Sequence, residues 1–79
     1  MALFPITLYG LLQSLHGART LELEATLPVR VEALQQALAA RLGGCDVPVA
    51  LAENNRILRP EEILDSARPL LALPPVCGG

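Results

Sequence analysis

The chain has 79 residues, enough for one small domain, and is 52% hydrophobic, only 18% charged, with a formal charge of −2. A chain of this size buries only about 60–65% of its unfolded surface, which leaves little material for the walls of a catalytic cleft, so catalysis by the chain alone is not expected. The slight acidity supplies no basic footprint for a phosphate backbone, and no apolar run approaches the ~20 residues that span a bilayer; neither a nucleic-acid partner nor a membrane role is expected.

Phe4 and Tyr9 are the only aromatic residues, so Leu, Val, Ile and Ala must fill the interior. In "ITLYG", Ile6, Leu8 and Gly10 alternate with Thr7 and Tyr9 at the period of a strand. Leu11, Leu12 and Leu15 follow with the spacing of one helical turn, closed by Gly17. "TLELEA" then alternates strictly, Leu21 and Leu23 on one face and Glu22 and Glu24 on the other, so the first two strands read as a hairpin with an elaborated turn. After Pro28, "VEALQQALAARLGG" changes to helical period. Val31, Leu34, Leu38 and Leu42, with Ala37, form one stripe, while Glu32, Gln35, Gln36 and Arg41 face away. Gly43-Gly44 supplies a stop, but Arg30 occupies the place of a Ser, Thr or Asp cap, so the helix start is poorly marked.

"VPVALA" reads as an apolar strand, "ENNR" as a turn in which Asn54 and Asn55 tolerate positive φ, and "IL" as a short returning strand. "RPEEILD" reads as a polar turn with a short helical piece. "PLLALPP" is a last apolar strand, ended by prolines that cannot donate ladder hydrogen bonds. The order β-β-α-β-β-β predicts an α+β roll of the β-grasp type, a mixed sheet packed on one main helix with its first and last strands side by side. The domain is expected over residues 1–73 and an extended tail over 74–79. An apolar domain this small is expected to leave part of its sheet as a partner surface, with Leu8, Leu71 and Leu73 as candidates and core burial as the alternative for each.

Conventional catalytic chemistry finds little support. His16 stands beside Ser14 and Gly17 with no oriented nucleophile that spacing can establish. Glu61, Glu62 and Asp65 lack the ligand spacing and glycine of a calcium loop, and Cys45 has no basic sequence neighbour to lower its pKa. Cys45 and Cys77 are too few for a disulfide framework and too far apart for a metal knuckle. No metal or bound cofactor is expected. The N-terminus carries no charged leader with an apolar stretch of signal-peptide length, so the cytoplasm is the expected location.

The tail "LPPVCGG" is different. Pro74-Pro75 favours extended geometry, and six residues beyond Leu73 at up to ~3.3–3.6 Å each reach about 20 Å. Gly78 and Gly79 have no side chains and can thread a narrow channel in another protein. The reactive group is then the α-carboxylate of Gly79, which needs activation before it can transfer anything. All six basic residues are arginines, so no side-chain amine is available for acylation by another chain's activated terminus.

"ITLYGLLQSLHG", "VEALQQALAARLG", "ALAENNRIL" and above all "LPPVCGG" resemble the ubiquitin-like sulfur carriers, the family of the molybdopterin synthase small subunits and, more distantly, the thiazole-pathway carriers. The resemblance covers nearly the whole chain. It implies a β-grasp fold and adenylation, then thiocarboxylation, of Gly79, with Pro74, Pro75, Val76, Cys77 and Gly78 as the segment entering a partner's channel. It also implies an ATP-dependent adenylyltransferase of the ubiquitin-activating type, a persulfide sulfur donor and a larger synthase subunit as partners. Carriers for thiazole, cysteine, siderophore or other thio-metabolites, a protein modifier and an inert β-grasp module are the alternatives. The chain departs from the family pattern at Gln13-Ser14, where an arginine-glutamate pair is usual, and at "DSARP", where an aspartate-glycine is usual. It departs again at Glu53, usually apolar, and at Cys77, usually a small unreactive residue.

Overall fold

The computed structural model describes residues 2–42, 49–53 and 56–74. The described elements are β1 (Ala2–Leu8), α1 (Leu11–His16), β2 (Thr20–Ala25), β3 (Val29–Arg30), α2 (Val31–Arg41), β4 (Ala50–Glu53), β5 (Arg56–Ile57), β6 (Ile63–Leu64) and β7 (Leu70–Leu73). Five strands form a mixed sheet in the order β2-β1-β7-β4-β5, and β3 pairs with β6 in a separate two-stranded ribbon. The first and last strands lie side by side and parallel, Ile6 beside Leu70 and Leu8 beside Ala72, as the β-grasp expectation requires. The remaining pairs are antiparallel.

Strand parity builds the core. Phe4, Ile6 and Leu8 of β1, Leu21 and Leu23 of β2, Leu51 of β4 and Leu70 and Ala72 of β7 are all buried, facing Val31, Leu34 and Leu38 of α2. Each fully buried Leu, Ile, Val or Phe contributes about 1.5–3 kcal/mol relative to exposure, so this layer carries most of the stability. Pro5 is accommodated inside the central strand β1 by register. The Leu8 N–H donates to Arg19 on the β2 side and the Tyr9 N–H to Ala72 on the β7 side. By alternation the nitrogen of Pro5 faces β7, one residue before the β7 pairing begins at Ile6, so its missing donor is not called on.

The structure corrects the expected outline in three places. β1 ends at Leu8, and Gly10 lies beyond it in a tight turn. The helical turn expected at Leu11, Leu12 and Leu15 is present as α1, closed as expected by Gly17, which has φ 83° and whose N–H bonds the Gln13 carbonyl at 2.9 Å; Leu12 is buried and Leu11 exposed. Gln35, expected to face water, is half-buried and donates from Nε2 to the Val49 carbonyl at 2.8 Å. "RPEEILD" holds a turn closed by the Glu62 N–H on the Arg59 carbonyl, followed by strand β6 in place of the expected helical piece. Leu64 is buried and the strand pairs across to β3, so long-range burial overrides the local helical bias.

That turn also explains the poorly marked helix start. Arg30 is the N-cap of α2 in an extended conformation with no side-chain cap. Two of the helix's orphan donors are satisfied from a distance: Val31 N–H reaches the Glu62 carbonyl at 2.9 Å and Glu32 N–H the Pro60 carbonyl at 3.0 Å. The expected Gly43-Gly44 stop, Cys45 and the Asn54-Asn55 turn lie outside the described residues.

Candidate functional site

β7 sits between β1 and β4, so the chain leaves the sheet from its middle. Its last residue, Leu73, is in register with Ala50, and on the other side the Tyr9 N–H donates to the Ala72 carbonyl at 3.2 Å. The chain therefore emerges at the corner where β1 gives way to α1. Here the Leu12 N–H closes a turn on the Tyr9 carbonyl at 3.2 Å and the Gln13 N–H bonds the Gly10 carbonyl at 3.1 Å. Gly10, at φ 58° and ψ −131°, holds the first central position of that turn, the geometry of a type II′ turn in which glycine is favoured. Pro74 lies against it: a β-carbon at position 10 would stand 3.2 Å from Pro74 Cγ.

Of the expected site residues, Pro74 is half-buried at this corner. Pro75, Val76, Cys77, Gly78 and Gly79 lie outside the described residues. What the structure supplies is the root of the tail and the surface around it.

That surface is one face of the sheet. Register places Thr7, Leu71, Ala52 and Ile57 in a row across four strands on the side opposite α2, with Leu73 and Ala50 forming the next row beside Tyr9. Tyr9 and Ile57 are 44% and 64% exposed, and Leu71 and Leu73 are half-buried. Leu8 must be removed from the candidate partner surface: it is 1% exposed, because it shares the parity of Ile6 and points into the core. Tyr9 and Ile57 are the residues that sequence patterning missed. The parity of β1 points to Tyr9; Ile57 required knowing that β5 pairs with Ala52.

The opposite end of β7 is charged. Arg68 Nη1 donates to Glu53 Oε1 at 3.0 Å, and Arg56 pairs with Glu62 at 3.0 Å while lying 3.9 Å from Glu53. Arg68 also lies 3.7 Å from Asp65. The Arg56 guanidinium, followed by the Arg59 N–H at 2.7 Å, holds the Glu62 carboxyl below its ordinary value, and the same carboxylate raises Arg56. These carboxylates are engaged with arginines as structural fasteners. Glu53 and the "DSARP" segment, two departures from the family pattern, are thus partners of one another. His16 is half-buried and Ser14 exposed on α1. Among the described residues no helix is long and apolar enough to cross a membrane.

The fold is that of known ubiquitin-like proteins. A Pyrococcus furiosus protein described as molybdopterin converting factor, subunit 1 superposes with a TM-score of 0.74 at 20% identity, covering 96% of this chain and 100% of that one. SAMP1 from Haloferax volcanii gives 0.75 at 19% identity, covering 99% and 100%. A second crystal structure, the H. volcanii small archaeal modifier protein 1, gives 0.76 at 18% identity, covering 96% and 100%. No family model matches the sequence, and no curated protein matches it at a significant level.

Proposed function

We propose that this chain is a ubiquitin-like sulfur carrier whose Gly79 α-carboxylate is converted to a thiocarboxylate, and that it serves as the small, sulfur-donating subunit of a molybdopterin-synthase-type complex. The observation that carries the proposal is the path of the chain. A central strand ends at Leu73 beside an apolar sheet face, and from Pro74 only Pro75, Val76 and Cys77 separate it from a side-chain-poor Gly-Gly tip. Likeness to a structure described as a molybdopterin converting factor subunit supports the choice of pathway.

The chemistry balances with partners that this small chain does not itself provide. A carboxylate oxygen of Gly79 attacks the α-phosphorus of ATP on an adenylyltransferase of the ubiquitin-activating type, and pyrophosphate leaves. The terminal sulfur of a donor persulfide attacks the resulting acyl adenylate and AMP leaves. A thiol then reduces the acyl disulfide, releasing the thiocarboxylate and forming a disulfide on the donor. The larger synthase subunit receives the tail, with Pro75 and Val76 shaping the arm, Cys77 in its extended stretch and Gly78 passing the narrow channel. The exposed Tyr9 and Ile57, with Leu71 and Leu73, form the docking face beside the tail root. No cofactor is held by the chain; ATP belongs to the activating partner. The cytoplasm, where thiols stay reduced, suits this chemistry.

A modifier role is the second reading, favoured by the likeness to a structure named as a small archaeal modifier protein. With no lysine in the chain, isopeptide conjugates would form on other proteins and never as side-chain-linked polymers of this one. The deciding experiment combines the chain with the activating enzyme, ATP and a persulfide donor, then adds a lysate of the host. An oxygen-for-sulfur exchange in the intact mass supports the carrier, a ladder of conjugates supports the modifier, and neither outcome rejects both.

A further inference from the structure

Two glycines of the described chain adopt positive φ, and they differ in what surrounds them. Gly17, at φ 83°, has nothing within 4 Å of the place a β-carbon would occupy. Gly10, at φ 58°, would set its β-carbon 3.2 Å from Pro74 Cγ and 3.8 Å from Pro74 Cδ. Favourable carbon–carbon contacts lie at about 3.5–4.0 Å, so a β-carbon at position 10 would crowd the proline ring and push it aside by a few tenths of an ångström. Turn geometry alone would ask for glycine at position 10, as it does at 17. The Pro74 contact is an additional demand, made by the residue at which the chain abandons the sheet.

We infer that Gly10 is a positioning residue for the C-terminal tail. Its bare α-carbon seats the Pro74 ring on the β1–α1 corner and so fixes the heading at which the chain leaves β7. The corner is stiff enough to do this. Tyr9 is tied to β7 through its N–H on the Ala72 carbonyl, and its own carbonyl accepts the Leu12 N–H. The seat is thus held by the same strand that delivers the tail, and Pro74, having no N–H, cannot prolong the ladder instead. For a tip that must enter another protein's site, a fixed heading removes part of the orientational cost of productive encounter. The functional half of this inference rests on the carrier proposal; the geometric half does not.

The test uses the full chain with Cys45→Ser, so that a nitroxide attached to Cys77 reports tail position through broadening of backbone amides. With Gly10 present, broadening concentrates on the corner, residues 9–13. Gly10→Ala, and independently Pro74→Ala, which removes Cγ from the seat, lose that concentration. Gly17→Ala, which also puts a side chain at positive φ but in the milder left-handed helical region and away from the tail, keeps it. In parallel, the kcat/KM for adenylation of the unlabelled chain falls roughly tenfold to a hundredfold in Gly10→Ala, the scale of a small misplacement of a reacting group, and stays near its starting value in Gly17→Ala. Corner broadening that survives in Gly10→Ala would overturn the inference, leaving Gly10 as a turn residue only. Should that variant fail to fold, unchanged broadening in Pro74→Ala overturns it equally. If the labelled chain behaves as expected but no variant, nor the parent, is adenylated, the carrier proposal fails and the seat stands.

Discussion

The two ends of β7 are fastened in opposite ways. At its start, Arg68 and Glu53 pair at 3.0 Å, and the neighbouring Arg56–Glu62 pair holds the turn whose carbonyls cap α2. At its end there are no ion pairs among the described residues; the pairing of Leu73 with Ala50, the Tyr9–Ala72 hydrogen bond and the contact of Pro74 with Gly10 hold it instead. Polar fasteners bind loops to the domain where the fold must close, while the exit is built from backbone and small apolar groups that another protein can cover without stripping water from charges. One end of the strand serves the fold, and the other carries the face that the carrier proposal assigns to a partner.

The sharpest way to break that comparison is to remove the tip. Deleting Gly78 and Gly79 should abolish sulfur loading while leaving the melting temperature nearly unchanged; a large drop by calorimetry would show the tip contributing to the domain's own packing. At the opposite end the pattern reverses. Arg68→Ala leaves the Glu53 carboxylate, whose side chain is 12% exposed, without its nearest partner. Denaturant unfolding should show a loss of about 1–3 kcal/mol, the cost of an unsatisfied charged group, with loading of the folded fraction retained. On the open face, Ile57→Lys should weaken binding to the larger synthase subunit severalfold in a titration and leave stability within about 0.5 kcal/mol, as expected of an exposed position. Unchanged binding would remove Ile57 from the docking face.

Acid sharpens the charged end further. Glu62 titrates below the ordinary value of 4.5 in the folded chain, so its contribution is fully present above the unfolded pKa and is lost as pH falls through the lower folded one. Stability measured against pH should therefore decline on the acid side of about 4.5, and Glu62→Gln should flatten that limb. Smallest of all is the expected effect of Cys77→Ala, which should retain most sulfur loading; blocked thiocarboxylate formation in that variant would make the thiol part of the mechanism.

Much of this fold is legible in the sequence. The parity of Leu21 and Leu23 and the stripe Val31-Leu34-Leu38 placed the core correctly, since burial on one face leaves its period in the sequence. What stayed hidden depends on partners distant in the chain. The α2 cap comes from carbonyls of Pro60 and Glu62, and β3 and β6 are two residues each, too short to show a period. Glu53 on the helix-side parity of Leu51 makes sense only once Arg68 is seen beside it. At the candidate site, composition points to the tail, whose residues beyond Pro74 lie outside the described ones, whereas nothing in the sequence points to the seat at Gly10. Gly10 alternates with Thr7 and Tyr9 as a strand residue would, and only the turn geometry and the Pro74 contact give it another role.

The most direct test of the central claim, that sulfur chemistry belongs to Gly79 and to neither cysteine, is C-terminal tandem mass spectrometry of the Cys45→Ser/Cys77→Ser chain after loading. The account predicts an oxygen-for-sulfur exchange confined to fragments that contain Gly79, at the level seen in the parent. Loss of that exchange while the doubly substituted chain remains folded would contradict it.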